Sequence, residues 1–577
     1  MGDNRKKTKS GKISFTASAQ QRSGVVVQAG ILAAASILSR IIGLLYRSPL
    51  TAIIGDEGNG YYGTAINIYT IFLLVSSFGV PSAISKLMAQ KMAVGRYKDA
   101  QRVFHCALIY TLAVGAAASL VLYFGAGLLV PPNSVPVLRV FAPTIFLFGL
   151  LGSLRGYFQA NQTMVQTSVS QILEQVVNAA VSIGGAYFLM NFAAAENLLT
   201  GQPGMPYPAG QTARAIRGAM GSALGTGSGV AAALFFMLAV YMIHRPSFHA
   251  RMRRDRSGAL TSYGRIMLET ILVITPFILS SFILNLTTSL NQTIFMKLMI
   301  GMKGWKEVPT TTIYGLFSNK AVVITNIPIS IATAVAAAII PGISTAYARK
   351  DMRDTRKRSV GAIRMTLIIA VPCAVGLTVL ARPVTMLLFP QWDTLDTSSS
   401  LLSALAVTVI FYSAATIANA ALQSIGKMHL PLLTAAIALA VQTVVLILLL
   451  LTTNIGAYAL VIASILYSVL IFFLDEAFLQ YYLHMHIRRG RMYGLPVLSA
   501  CAMGAVTRAV YQIVFFVADR LTGTYMANLI AIVPAILTAI PVYFFTLIRL
   551  HGISRQDVLG MPKGRRLLRV LENLHWM

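Results

Sequence analysis

Apolar residues in this chain come in long unbroken runs separated by short polar turns, not in alternation and not as a single stripe per helix. At 1.5 Å per residue, a helix needs roughly 20 apolar residues to cross a hydrocarbon core of about 30 Å. Fourteen such runs can be read, at about 25–54, 61–84, 103–130, 135–158, 166–191, 215–243, 266–298, 321–347, 360–389, 399–424, 430–451, 455–483, 494–517 and 525–549. The pattern predicts an all-α polytopic membrane protein with 14 transmembrane helices. The thinnest punctuation is Gly426-Lys427 and Thr452-Thr453-Asn454. A polar tail, residues 1–24, precedes the first run, which has no small-residue cleavage site and reads as a retained span.

Composition sharpens this. The chain is 56% hydrophobic and only 11% charged, yet its formal net charge is +29. A soluble protein carries about 25% charged residues. So basic a chain would ordinarily suggest nucleic acid, but the basic residues are sorted by side. With a cytoplasmic amino terminus, 34 of the 47 Lys and Arg fall in inner tails and loops, 8 in outer loops and five within spans. Positive charge marks the cytoplasmic face, so both termini are expected there and no nucleic-acid partner is needed. The first outer loop, Gly55-Asp56-Glu57-Gly58-Asn59-Gly60, is acidic.

Chemistry of an enzymatic kind is not visible. Cys106, Cys373 and Cys501 are far apart within apolar runs, the eight histidines form no ligand pattern, and no glycine-rich phosphate loop or loop domain offers a reaction site. The expectation is a protein that is not an enzyme, with no catalytic residue, no bound metal and no cofactor.

The runs repeat. Gly79-Val80-Pro81-Ser82 at the end of the second run resembles Ile339-Ile340-Pro341-Gly342 at the end of the eighth, preceded by Tyr62-Gly63 and Tyr314-Gly315 respectively. Gln159 and Met164 at the fourth-to-fifth turn match Gln423 and Met428 at the tenth-to-eleventh. Six spans separate the copies, so the repeat is parallel, related by an axis along the membrane normal. The layout expected is an N-lobe over 25–243, a cytoplasmic linker over 244–264, a C-lobe over 265–483, two further spans over 484–549, and a basic tail over 550–577. Substrate is expected between the halves.

Ser39-Arg40-Ile41-Ile42-Gly43 in the first span, and Arg155-Gly156-Tyr157-Phe158-Gln159 followed by Met164, Thr167, Ser170-Gln171 and Glu174-Gln175, resemble the oligosaccharidyl-lipid flippases of the MOP superfamily, in particular the MurJ and stage V sporulation protein B group. The likeness covers roughly residues 25–550. Gln166-Thr167 stands where the group usually has Pro-Thr, and no Arg lies between Tyr61 and Pro81 or between Ala321 and Pro341. What the resemblance implies is a MOP/MATE-like fold that moves a polyprenyl-diphosphate-linked cell-envelope sugar, lipid II or a related precursor, from the inner to the outer leaflet of the cell membrane by alternating access. Spans thirteen and fourteen would form a groove for the lipid tail. Membrane lipid is a further partner, and envelope-synthesis enzymes are the protein partners left open. The driving force stays open between the membrane potential and a monovalent cation. Two alternatives also stay open: a MATE-type cation-coupled multidrug antiporter, and a membrane enzyme or assembly factor of envelope polysaccharide synthesis.

An anionic diphosphate cannot enter hydrocarbon without new donors for its oxygens. Arginines inside spans are therefore the candidate substrate residues. Arg40 sits near mid-membrane, where a charge costs roughly 2.5–3.5 kcal/mol on insertion scales and faces a cavity or a partner. Arg47 lies two turns further along the same face. Arg155 and Glu174, nine residues before and ten after Met164, should meet across the fourth-to-fifth turn, as a structural pair or as one that opens for an anionic head group. Arg364 reads as an interfacial anchor with a lesser substrate role, and Arg508 as a contact near the mouth of the tail groove. Asp475 and Glu476 are expected at the inner interface facing Arg488 and Arg489. Pro81, Pro276 and Pro341 are the expected hinges, since proline removes a helix hydrogen bond and permits bending. Gly221, Gly225 and Gly229, four apart, predict close helix packing.

Overall fold

The computed structural model describes residues 35, 38, 39, 41–43, 45–78, 80–161, 163–199, 211–253, 255, 260–427, 429–484, 490–550 and 552. Among these there are seventeen α-helices and no strand. They are α1 (Arg47–Leu73), α2 (Val80–Ala93), α3 (Tyr97–Leu129), α4 (Val135–Ala160), α5 (Met164–Leu199), α6 (Gln211–Arg253), α7 (Tyr263–Met296), α8 (Glu307–Gly315), α9 (Val322–Ala348), α10 (Met352–Val379), α11 (Ala381–Leu388), α12 (Trp392–Leu405), α13 (Thr408–Ser424), α14 (His429–Thr452), α15 (Tyr458–Leu483), α16 (Leu495–Thr522) and α17 (Thr524–Arg549).

Among the described residues nine helices are long and apolar enough to cross a membrane, ten if α12 and α13, bent by 41°, form one span. Their outward faces are apolar: Phe124 is 76% exposed, Leu128 89% and Phe235 71%. Such faces suit lipid, not water. The chain is a multi-pass membrane protein.

Several expected elements differ in detail. The acidic outer loop is almost absent, because α1 runs through it and only Gly55, at φ 70° and ψ 177°, leaves the helical backbone. Positive φ at that position suits glycine, which has no β-carbon to clash. The second span contains a π-helical turn at Leu74–Phe78, and another, at Leu316–Ala321, leads into the eighth. The ninth breaks at Leu380, and the tenth begins early, at Trp392, because Asp393 and its neighbours form an amphipathic start to the helix.

The chain divides into two compact units. The first contains residues up to Ile54 and Thr64–Ser289; the second contains Gly55–Gly63 and Leu290–Met577. This differs from a division at the basic linker over 244–264, and hydrogen bonds account for the difference. Buried Asp99 accepts from the backbone N–H (3.2 Å) and hydroxyl (3.0 Å) of Thr261 and pairs with Arg96 at 2.7 Å. Asp255 accepts from the Lys98 N–H at 2.8 Å, and Lys91 pairs with Glu269 at 2.9 Å. The linker and the first turns of α7 are thereby fastened to the α2–α3 loop.

In the first unit, α2, α3, α4, α6 and the start of α7 share a core around Ile84, Met88, Phe104, Leu151, Tyr157 and Met237. Tyr46, Leu50 and Ile54, spaced by four, present one face to Ala186 and Met190 of α5. The α6 glycines behave as their spacing predicts: a β-carbon at Gly221 would strike Gly185, one at Gly225 would strike Ser182, and one at Gly229 would lie 2.5 Å from the Glu174 carbonyl.

The second unit centres on Phe295, Tyr314, Phe317, Phe389, Leu402, Leu446 and Leu460. The two C-terminal helices, joined at Gly523 (φ 78°), belong to this unit. Asn528 of α17 donates to the Pro383 carbonyl at 3.0 Å, and Gly504 of α16 lets α10 approach through Val375 and Val379.

Candidate functional site

Arg155 and Glu174 meet. α4 ends at Ala160 and α5 starts at Met164, so the antiparallel pair brings the two side chains to one level. The Arg155 Nη2 donates to Glu174 Oε2 at 2.8 Å, and its Nε donates to the Ser170 hydroxyl at 2.9 Å, which in turn donates to the Thr167 carbonyl at 2.7 Å. Arg155 is 7% exposed. A charge so enclosed is stable only with its partner and hydrogen bonds in place. Beside it, Gly152 and Gly156 admit Pro81: a β-carbon at Gly156 would lie 2.9 Å from the Pro81 carbonyl. The Arg-Gly-Tyr motif thus sets an ion pair on one face of α4 and a helix crossing on the next.

The other sequence candidates are dispersed. Arg40 lies outside the described residues. Arg47 opens α1, half-buried, with no hydrogen bond or ion pair to another described residue. Arg364 donates to the Gly552 carbonyl at 2.9 Å, an anchor for the chain just after α17. Arg508 is exposed at the middle of α16, outside the face formed by Pro496, Ser499, Ala500, Met503, Gly504 and Thr507. Pro81 is at the start of α2, just after the π-helical turn. The backbone of α7 is helical at position 276 and that of α9 at 341, while the side chains of Pro276 and Pro341 lie outside the described residues.

Asp475 and Glu476 require a correction. They do not face the interface: they are 0% and 1% exposed. Asp475 Oδ1 accepts from the Thr434 hydroxyl at 2.6 Å, and its Oδ2 has no partner among the described residues. Glu476 accepts from Gln480 and from the Tyr493 hydroxyl, both at 3.0 Å. Their place in helix packing reflects the register of α15, whose buried face includes Ile471, Phe472 and Leu479. Arg488 and Arg489 lie outside the described residues. The available signal was two adjacent carboxylates within an apolar run.

A second buried ion pair was not anticipated. In the second unit, Lys320 Nζ lies 2.5 Å from Asp56 Oδ1; the lysine side chain is 1% exposed and the carboxylate 9%. Lys320 also donates to Gln391 Oε1 at 2.9 Å, and the Thr394 hydroxyl donates to Asp56 Oδ2. The Phe389 ring lies 5.5 Å from the ammonium. Neither residue stands out in the sequence as a buried charge.

The described residues form an all-helical, multi-pass membrane fold. The fold is similar to a multidrug resistance MATE family transporter in an inward-facing conformation, with a TM-score of 0.60 at 14% identity, covering 78% of this chain and 96% of that one. It is also similar to the lipid II flippase MurJ in an inward closed conformation, with a TM-score of 0.62 at 14% identity, covering 90% and 98%. Residues 25–200 match the model described as polysaccharide biosynthesis protein, and residues 281–449 match the MatE model. The chain is homologous to the lipid II flippase MurJ of Bacillus subtilis (strain 168), 24% identical with 92% of this chain and 96% of the relative covered, and to stage V sporulation protein B of the same organism, 23% identical over 92% and 97%.

Proposed function

We propose that this protein is a flippase that carries a polyprenyl-diphosphate-linked cell-envelope sugar, with lipid II preferred, from the inner to the outer leaflet by alternating access, with 14 spans and both termini in the cytoplasm. The observation carrying this reading is one of extent. The MATE transporter structure is covered almost whole, yet accounts for 78% of this chain, whereas the MurJ structure accounts for 90%. Arginine chemistry supports it, because a guanidinium presents paired donors to diphosphate oxygens. Arg40 and Arg47 are the proposed first contacts, Arg155 with Glu174 a pair that responds to them, and Arg364 and Arg508 peripheral.

Complementation tests the substrate. Cells depleted of their lipid II flippase are expected to recover growth when this chain is supplied. If it restores a different envelope polymer instead, the substrate assignment is wrong. Within the same reading, Pro81, Pro276 and Pro341 are hinges. Pro276→Ala is expected to slow flipping severalfold with substrate binding retained, and unchanged transport would contradict the hinge role.

A second reading, coupling to the membrane potential or a monovalent cation, has Asp475 in its favour, since intramembrane carboxylates mark ion pathways by default. Asp475→Asn is expected to leave substrate binding intact and to remove any dependence of flipping on an imposed ion gradient. A gradient dependence that persists in the variant would exclude this group.

A further inference from the structure

Residues 55–63 are divided in allegiance. Ile54 before them and Thr64 after them belong to the first compact unit, but the segment itself belongs to the second. Gly55 makes this possible by turning the backbone at positive φ. From there the segment lies against α8 and the π-helical turn that follows it. Asn319 Nδ2 donates to the Asn59 carbonyl at 2.7 Å. A β-carbon at Gly60 would lie 2.6 Å from the Thr311 carbonyl, and one at Gly315 would lie 2.7 Å from the Gly60 Cα, so the two backbones cross in direct contact. Tyr61 and Tyr62 are buried, at 0% and 3% exposure.

We infer that residues 55–63 are a strap that docks and undocks, and that the Asp56–Lys320 pair is the latch holding it docked. The latch has the chemistry of a switch: removing either charge leaves the other buried and unpaired, which strongly opposes the docked state. Thr394 bridges the pair, since its hydroxyl donates to Asp56 and lies 3.5 Å from Lys320 Nζ. The latch depends on the two charges being opposite and not on which residue carries which sign, so reversing the pair preserves it. This rests on the transporter reading only in supposing that the fold changes conformation.

The experiment is thiol accessibility of the full chain in lipid nanodiscs, where both faces are open to reagent. Cys106, Cys373 and Cys501 are replaced, and Asn59→Cys supplies the reporter. Asn59 is 5% exposed and its side-chain nitrogen has no partner among the described residues, so the change removes no hydrogen bond from that nitrogen, and the backbone carbonyl that accepts from Asn319 is kept. Asp56→Asn and Lys320→Met are each expected to raise the rate of modification by a bulky maleimide at least tenfold. The reversed pair, Asp56→Lys with Lys320→Asp, is expected to return it to within about twofold of the parent. Unchanged labelling in both single variants, with monodisperse protein, would overturn the latch, as would a reversed pair that labels as fast as they do. If a single variant does not fold, Thr394→Val carries the test: a severalfold rise supports the latch and no rise overturns it. The assay needs no lipid-linked sugar, so its failure and failure of the flippase reading are separate results.

Discussion

Arg155→Ala is expected to cost about 3–5 kcal/mol of stability, the usual penalty for leaving a buried charge without its partner, and to reduce folded protein at 37 °C severely. The Glu174 carboxylate, whose side chain is only 16% exposed, would be left with no cation among the described residues to replace the guanidinium. Glu174→Gln is expected to be comparably damaging, because the amide oxygen still accepts but the more deeply buried Arg155 charge loses its counter-charge. The exchange Arg155→Glu with Glu174→Arg separates structure from transport. Burial favours a structural pair, so the exchange is expected to recover both folding, measured by monodispersity and melting temperature, and flipping. Folding recovered without flipping would assign the guanidinium to the substrate.

Gly225→Leu should be at least as damaging. Its β-carbon would occupy the position of Ser182, which is itself fully buried and donates to the Ser222 carbonyl at 3.0 Å. Overpacking a core ordinarily costs 1–3 kcal/mol. Here the obstacle is backbone and a bonded side chain, so α5 and α6 must separate, at about 3 kcal/mol or more. Gly227, two residues along and so on the opposite face of the helix, is the control: a β-carbon there meets only the Thr144 hydroxyl, at 3.0 Å. Gly227→Ala should cost far less. Equal loss of folded protein from Gly225→Leu and Gly227→Ala would contradict the packing account.

How much of this could be read in the sequence depended on whether the information was local. Hydrophobic run length is local, and the helices at Val135–Ala160, His429–Thr452 and Thr524–Arg549 begin and end within a few residues of the apolar runs. The Arg155–Glu174 pair was legible because only a short turn separates antiparallel neighbours, so sequence distance from Met164 translates into depth. Glycine spacing in α6 was legible for the same reason, a helical period written in four-residue steps. What was not legible needed tertiary contact. Asp56 and Lys320 stand 264 positions apart, and nothing in either neighbourhood distinguishes a buried charge from a loop charge. Asp475 and Glu476 were misplaced because proximity to a basic stretch was taken as a guide to facing direction, when the packing of α15 sets it. The turn at Gly55 replaced an expected loop because one residue with a permissive backbone suffices to redirect a helix, and the break at Leu380 interrupts a run expected to be continuous.

The central claim, that this chain moves a lipid-linked sugar between leaflets, is tested most directly in proteoliposomes. Purified protein is reconstituted with fluorescent lipid II, and the fraction accessible to an impermeant quencher is followed with time. The account predicts protein-dependent exchange between leaflets that falls severalfold in Arg40→Ala and Arg47→Ala. If folded protein moves neither lipid II nor any other polyprenyl-diphosphate sugar above the protein-free rate, the account is contradicted.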